Sequence, residues 1–320
     1  MPATTNNENS HHQAVIGDVD NFWLYSSQTG FDLTRPPTPS ARPIQPRVII
    51  ETTYLPIAID PAKSALIIVD MQNYFLSPAL GRSKGAGHAA VDQLIQHAIP
   101  AARKAGIRVV WVNWGLTEQE VKEMPPAIKR AFGFEAFVDG QSGEEKFANI
   151  EAGGGFGLDK HGLKTQHKGM GSEIGKVVDP DTGEEIEAGR VLMRRSWNCE
   201  LWPSLAKVYD EGRKLDVKPD VWVHKNRMSG MWGAETELEV FLKKEGIRTL
   251  LFTGVNTDQC VGGTLTDSYS KGYDCVLLSD GAATNSPEYA QKCYEYNSAN
   301  GYGFVTSCEK LAAGVSPAVS

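Results

Sequence analysis

Three side chains that could act together in acyl transfer each lie at or just beyond the end of a predicted strand. The first is Cys260, which follows the apolar segment Thr249 to Phe252 and a turn that contains Gly254. A helix is predicted to begin almost at its thiol, and the free N–H groups of a helix start favour a thiolate and stabilise an oxyanion. Cys260 is therefore a candidate nucleophile, with a buried core cysteine as the alternative.

The other two side chains are Asp70 and Lys225. Asp70 closes the strand in SALIIVDMQNYF, a short apolar run typical of a buried parallel strand. Lys225 closes the predicted strand in DVWVHKNRMSGMWG. Because the C-terminal ends of parallel strands line the crevice of an open sheet, both side chains are expected at its mouth. A turn-capping role for Asp70 and a surface position for Lys225 are the alternatives.

An acid, an amine and a thiol at one crevice would fit a single reaction. The lysine charge favours both the carboxylate and the thiolate, and the carboxylate can accept the thiol proton. The same acid can later protonate a departing amine. These residues predict nucleophilic hydrolysis in which Asp70 is the acid and base, Lys225 the electrostatic partner and Cys260 the nucleophile.

Three segments, in the same order along the chain, resemble the isochorismatase-like cysteine hydrolase superfamily over about residues 60 to 310. They are VDMQNYF, HKNRMSGMWG and TGVNTDQCVGGTLTDSYSKGYDCVLLSDGAAT. The resemblance implies the same three roles for Asp70, Lys225 and Cys260. It also implies a cis peptide bond, here between Val255 and Asn256, and an oxyanion hole of main-chain N–H groups between Asn256 and Cys260.

Departures from branches of the family narrow the predicted reaction. Isochorismatases proper lack the cysteine, so its presence favours an amidohydrolase that cleaves the C–N bond of a small amide or ureide through a thioester and releases ammonia or an amine. Nicotinamidases carry an Asp-x-His metal motif where this chain has Asn113, Trp114 and Gly115, so neither a metal nor a cofactor is expected. Isochorismatase-type hydrolysis of a small carboxylate substrate and a non-catalytic binding relative of the same fold are the alternatives.

Six residues are predicted to contact substrate. Asn113 and Trp114 resemble pocket residues of ureidoacrylate and related carbamoyl-amide hydrolases. The Asn side chain can hydrogen-bond a planar ureide, and the Trp side chain can cover the face of the ureide. Side chains two apart on extended backbone share a face, which adds Gln72 beside Asp70. The remaining candidates lie in the insert or after Lys225, with core packing as their alternative: Trp197, Met228 and Trp232.

Repeated alternation of strands and helices predicts a three-layer α/β/α fold around a central, mostly parallel six-stranded sheet, which is isochorismatase-like and Rossmann-like. The strands are expected at 65–70, 107–113, 220–224, 248–253, 273–279 and 303–306, and the main helices at 86–105, 235–245, 259–271 and 287–300.

Residues 1–59 are expected to form an N-terminal arm. Its first 12 residues are polar and predicted to be disordered, whereas residues 13–59 mix aromatics with prolines and are predicted to be extended, with a short hairpin at the end. Residues 60–320 are expected to form the hydrolase domain. Its insert at about 115–200 is longer than a crossover needs and is interpreted as a lid.

Composition limits the partners. The chain has 32 basic and 39 acidic residues, a net charge of −7 and no basic cluster, which argues against nucleic acid. Its five cysteines form no CxxC pair and indicate a reducing compartment. No stretch approaches the roughly 20 apolar residues of a membrane span, so a cytoplasmic protein without a membrane partner is expected. The aromatic arm and the assembly habit of the family predict a homo-oligomer, a dimer or tetramer.

Overall fold

A six-stranded, wholly parallel sheet forms the centre of the computed structural model, which describes residues 11–18, 20–137 and 155–315. In spatial order its strands are β13 (Val221–Lys225), β7 (Arg108–Trp114), β6 (Ser64–Val69), β14 (Thr249–Val255), β15 (Asp274–Ala283) and β16 (Gly303–Thr306). This architecture confirms the predicted α/β/α fold with its central six-stranded sheet.

The central strands β6 and β14 are buried along their whole length because both faces of the sheet are covered. Every residue of β6 and of β14 is buried. Successive side chains of β6 enter opposite layers of the core, so Ile67 packs in one apolar cluster and Ile68 in the other. Burial on both faces explains why these strands read as continuous apolar runs instead of alternating patterns.

Helices occupy the connections between the strands. They are α1 (Asn73–Leu76), α2 (Ala86–Gln93), α3 (Ile99–Ala105), α4 (Glu118–Lys122), α5 (Pro126–Ala131), α6 (Pro203–Gly212), α7 (Glu237–Glu245), α8 (Gly262–Ser270), α9 (Glu288–Asn297) and α10 (Cys308–Val315). In the described parts of the chain, none of the helices has the length and apolar character needed to cross a membrane.

The helix predicted at 86–105 is interrupted. A π-helical turn at Leu94–Ala98 separates α2 from α3, and Pro100 lies in the first turn of α3. Proline has no N–H to donate to the preceding turn, and a wider turn accommodates that missing hydrogen bond. The helix predicted at 259–271 likewise begins with a π-helical turn, at Thr257–Val261.

The long insert contains short elements for which the sequence shows no clear periodicity. Besides α4 and α5 it forms β8 (Phe134–Ala136), β9 (Phe156–Leu158), β10 (Lys164–Thr165), β11 (Lys176–Val178) and β12 (Glu185–Glu187). The strands β8, β9 and β10 form one small antiparallel sheet, and β11 pairs with β12 in another. Residues 138–154 of the insert lie outside the described part.

The N-terminal segment folds into a five-stranded sheet, where the sequence predicts an extended arm with one hairpin. Its order is β1 (Gln13–Asp18), β2 (Asn21–Ser26), β3 (Gly30–Asp32), β5 (Ile57–Ile59) and β4 (Val48–Ile50). The aromatic strand β2 pairs on both sides, with β1 and with β3, which satisfies the backbone groups that an isolated arm would leave to water. Residues 1–10 of the predicted disordered segment lie outside the described residues.

A buried ion pair fastens this sheet to the central one. Asp274, at the start of β15, accepts two hydrogen bonds of 2.6 Å from the Arg35 guanidinium. It also accepts hydrogen bonds from the Trp23 indole at 2.9 Å and the Thr249 hydroxyl at 3.0 Å. Both partners of the ion pair are almost inaccessible to water, so each charge depends on the other for compensation.

Replacing Arg35 with Met should therefore leave the Asp274 carboxylate buried without its counter-charge and lower the free energy of unfolding by about 3–5 kcal/mol. Urea denaturation of purified variants measures this change. Arg47→Met is the matched control, because its 3.3 Å contact with Asp32 is more exposed and should contribute no more than about 1 kcal/mol. Equal losses in the two variants would contradict the anchoring role of Asp274.

Candidate active site

Three side chains from separate strand ends meet at the C-terminal edge of the central sheet. Lys225 Nζ lies 2.9 Å from Asp70 Oδ2 and 3.4 Å from Cys260 Sγ. The Asp70 carboxylate is close enough to the Cys260 thiol to raise the pKa of that thiol. All three residues are buried, with 0%, 4% and 5% of Asp70, Lys225 and Cys260 exposed. The structure thus brings together the three residues predicted to be catalytic.

Asp70 is positioned by the neighbouring strand β7. It immediately follows β6, and its N–H donates to the Val112 carbonyl at 3.0 Å. Its φ is +52°, a left-handed conformation that aspartate tolerates better than most residues. The Trp114 N–H then donates to Asp70 Oδ1 at 3.1 Å, so backbone contacts orient the carboxylate before any substrate is present.

Lys225 is the last residue of β13, and its ammonium group is enclosed by electron-rich partners. Nζ donates to the carbonyls of Arg227 at 3.0 Å and Met228 at 3.1 Å. It also lies 3.9 Å from the centroid of the Trp114 ring. Together with Asp70, these groups compensate a charge that would be costly to bury alone.

Cys260 lies in the π-helical turn Thr257–Val261, between β14 and α8. The peptide bond before this turn, between Val255 and Asn256, is cis. The Gln259 N–H donates to the Asn256 carbonyl at 3.0 Å. The Gln259 amide is therefore engaged within the turn, which leaves the N–H groups of Asn256, Thr257, Asp258 and Cys260 as the predicted oxyanion donors.

Burial decides the resting protonation of the nucleophile. Desolvation raises the pKa of Cys260 to about 12, although the Lys225 charge acts to lower it. Lys225 thus favours the thiolate in the expected direction, but the loss of water has the larger effect on the thiol pKa. Burial also raises the pKa of Asp70 against the lowering effect of Lys225, which suits that carboxylate to accept a proton.

An open cleft of about 760 Å³ reaches Cys260. We call it the Cys260 cleft. Its walls combine aromatic, amide, hydroxyl and basic side chains, and it is lined by Tyr74, Phe75, Leu76, Gly81, Arg82, Ser83, Lys84, Gly85, Ala86, Gly87, His88, Arg130, Ala131, Phe132, Lys160, Met228, Val255, Asn256, Gln259, Cys260, Thr284 and Asn285.

Of the six residues predicted to contact substrate, only Met228 lines this cleft. Gln72 and Trp114 lie beneath the site instead. The Gln72 side chain accepts from the Trp114 N–H at 3.0 Å and donates to the carbonyls of Trp114 and Cys199. It thereby holds the strand end that positions Asp70. The Trp114 indole supports Lys225 and acts to lower the pKa of Cys260.

The other three predicted contacts are also displaced from the cleft. Asn113 is wholly buried on β7, and neither of its amide atoms has a hydrogen-bond partner among the described residues. Trp197 packs against one of the core clusters in a 3-10 turn. Trp232 is 51% exposed, and its indole donates to Asn226 while Arg227 lies over its ring. None of these three residues is part of the lining of the Cys260 cleft.

Several cleft residues escaped the sequence prediction. Tyr74 and Phe75 lie directly after the strand end that carries Asp70, so their place in the motif was a usable signal. Arg82 lies in the connection before α2, whereas Arg130 and Phe132 lie in the insert, and no periodicity in these segments indicates that they line the Cys260 cleft. Within residues 11–18, 20–137 and 155–315, no three His, Cys, Asp or Glu side chains form a group that could hold a metal ion.

A wholly parallel α/β sheet with a cysteine, a lysine and an aspartate at its C-terminal edge defines the class of this protein. The family model described as the isochorismatase domain matches residues 64–164 and 191–309. The chain belongs to this family.

The chain is similar to solved structures of low sequence identity. An isochorismatase family protein from Desulfovibrio vulgaris subsp. vulgaris str. Hildenborough is 17% identical, with a TM-score of 0.50 over 78% of this chain and 96% of that chain. A cysteine hydrolase from Pseudomonas syringae pv. phaseolicola 1448A is 19% identical, with a TM-score of 0.49 over 85% and 98% of the two chains. The nicotinamidase PncA from Bacillus subtilis is 19% identical, with a TM-score of 0.48 over 77% and 99%.

Substituting Lys225 with Met should raise the pKa of Cys260 further, because the only described charge that lowers it is lost. Alkylation of Cys260 by iodoacetamide at fixed pH should slow by roughly tenfold or more, since the thiolate is the reactive form. Peptide mass spectrometry follows the reaction at each cysteine. The exposed Cys293 is the internal control, and an unchanged Cys260 rate in the folded variant would argue against the electrostatic role.

Proposed function

We propose that this protein is a cysteine hydrolase that cleaves the C–N bond of a small amide or ureide through a thioester on Cys260. The observation that carries the proposal is the convergence of Lys225 on both Asp70 and Cys260, at 2.9 and 3.4 Å, beside an open cleft. Family membership supports the same reaction type. A buried acid, amine and thiol in mutual contact have the proton acceptor, counter-charge and nucleophile that acyl transfer requires.

In the first half of the proposed reaction, the thiol proton moves to Asp70 as Cys260 Sγ attacks the substrate carbonyl carbon. Because burial raises the pKa of Cys260 to about 12, proton transfer accompanies attack instead of preceding it. Lys225 lowers the cost of both the developing thiolate and the carboxylate. Main-chain N–H groups of the segment from Asn256 to Cys260 stabilise the oxyanion that forms on the carbonyl oxygen.

In the second half, the tetrahedral intermediate collapses, the C–N bond breaks, and the departing amine or ammonia takes the proton from Asp70. The product acyl group remains on sulfur as a thioester. Asp70 then accepts a proton from an attacking water molecule, and the acid is released as the Cys260 sulfur regains its proton. One carboxylate thus serves as general base and general acid in turn.

We also propose that the insert at about 115–200 acts as a lid for this reaction. Arg130, Phe132 and Lys160 of the insert line the Cys260 cleft. A cover formed by this segment would exclude water from the thioester until the amine has departed.

Replacement of Cys260 by Ala should abolish turnover, because none of the other described cysteines lines the cleft and could act as the nucleophile. We expect a loss of roughly a thousandfold or more in kcat. Ammonia release from a panel of small primary amides and ureides measures the effect. Cys293→Ala, which removes an exposed thiol, should retain full activity. Turnover by Cys260→Ala would remove the nucleophile assignment.

The pH profile should report the carboxylate of Asp70. Protonated Asp70 cannot accept the thiol proton, so kcat/KM should fall as pH decreases through its pKa, which burial raises above the ordinary value of about 3.9. The Lys225 charge acts to lower that pKa, so any residual activity of Lys225→Met should show its acid limb at higher pH. An acid limb at or below the ordinary aspartate value would contradict this assignment.

A further inference from the structure

The Cys260 cleft is strongly cationic in a chain whose net charge is −7. Four basic side chains line it, and none of its described lining residues is an aspartate or a glutamate. The basic residues are Arg82, Lys84, Arg130 and Lys160. A pocket lined by one sign of charge raises the local concentration of ligands with the opposite sign.

Arg82 is the best-positioned of these cations. It is half-buried, its Nε donates to the Tyr74 carbonyl at 3.0 Å, and its guanidinium lies 5.2 Å from the Tyr74 ring centroid. No carboxylate in the described part of the chain pairs with it. These contacts fix the side chain, so little rotamer freedom remains to be lost when its other N–H groups bind a ligand.

Arg130 and Lys160 add exposed positive charge from the insert. Arg130 lies at the end of α5 and Lys160 in the connection between β9 and β10, and neither has a carboxylate partner among residues 11–18, 20–137 and 155–315. Lys84 differs, since it contacts Asp181 at 2.5 Å. Three basic groups on two different connections are thus left without a counter-charge at one cavity.

The cleft also has room for more than an amide group. Its volume of about 760 Å³ lies in the range typical of drug-sized ligands. Tyr74, Phe75 and Phe132 contribute aromatic surface to the same walls. A substrate that reaches from Cys260 to the basic residues could therefore place an apolar or aromatic spacer against these rings.

We propose that the substrate carries an anionic group, remote from the scissile carbonyl, which Arg82 binds with added attraction from Arg130 and Lys160. Cleavage of this substrate at its amide rests on the function proposed above, whereas binding of its anionic group does not depend on that function. Arginine binds carboxylate and phosphonate oxygens through paired N–H donors. Arg82 would then be a specificity-determining residue of the hydrolase.

The test compares half-amides of dicarboxylic acids of four to seven carbons with neutral amides of the same chain length. Arg82→Gln should lower kcat/KM for the preferred half-amide by roughly 10- to 100-fold, as expected for loss of a charge-assisted contact. The neutral amide should change by no more than about twofold. Arg82→Lys should recover part of the loss. Lys129→Gln removes a charge from α5, the helix that carries Arg130, at a position that does not line the cleft, and should leave both substrates unaffected.

Calorimetric binding to Cys260→Ala separates this inference from the proposed reaction. We expect Cys260→Ala to bind the half-amide at least tenfold more tightly than the neutral amide, and to lose that preference when Arg82→Gln is added. If this result is obtained although the wild-type protein cleaves no amide, the proposed reaction is contradicted and the anion site is supported. A parallel titration with 3-phosphonopropionamide shows whether the site prefers a carboxylate or a phosphonate. Equal affinity for charged and neutral amides, or a preference unchanged by Arg82→Gln in folded protein, overturns the anion site.

Discussion

The contact of one buried lysine with both an acid and a thiol is the constraint on which the rest of this structure depends. Lys225 compensates the Asp70 charge and at the same time approaches Cys260 Sγ. Removing Lys225 or Asp70 would leave the charge of the other buried without its counter-charge. The same desolvation raises the pKa of the thiol, and in the proposed reaction the thiol proton is therefore transferred to Asp70 as the sulfur attacks.

The sheet order explains why a tryptophan belongs to this constellation. Asp70 follows β6 and Lys225 ends β13, and β7 lies between these two strands. Trp114 at the end of β7 spans the gap: its N–H binds Asp70 and its ring lies beneath the ammonium. Gln72 fixes that strand end in turn. Gln72 and Trp114, which the sequence predicts to contact substrate, therefore contact and position the residues around Asp70 and Lys225.

The central strands and the side chains at their ends were predictable because they depend on local pattern. Continuous apolar runs mark β6 and β14, and the residues that close or follow them must lie at the C-terminal edge of a parallel sheet. The cleft walls depend instead on how distant connections fold back. Arg130 lies in a short helix and Lys160 in the turn between two short strands, and neither segment has a periodicity that indicates its place in the fold.

The most direct test of the central claim is mass spectrometry of the protein quenched in acid during turnover of an amide that it hydrolyses. The proposed chemistry predicts an added acyl mass on the peptide that contains Cys260, with none on the peptides of Cys199 or Cys293, and accumulation of the adduct when water attack is slowed. Rapid amide hydrolysis by protein whose Cys260 never acquires that mass, under conditions that preserve thioesters, would contradict it.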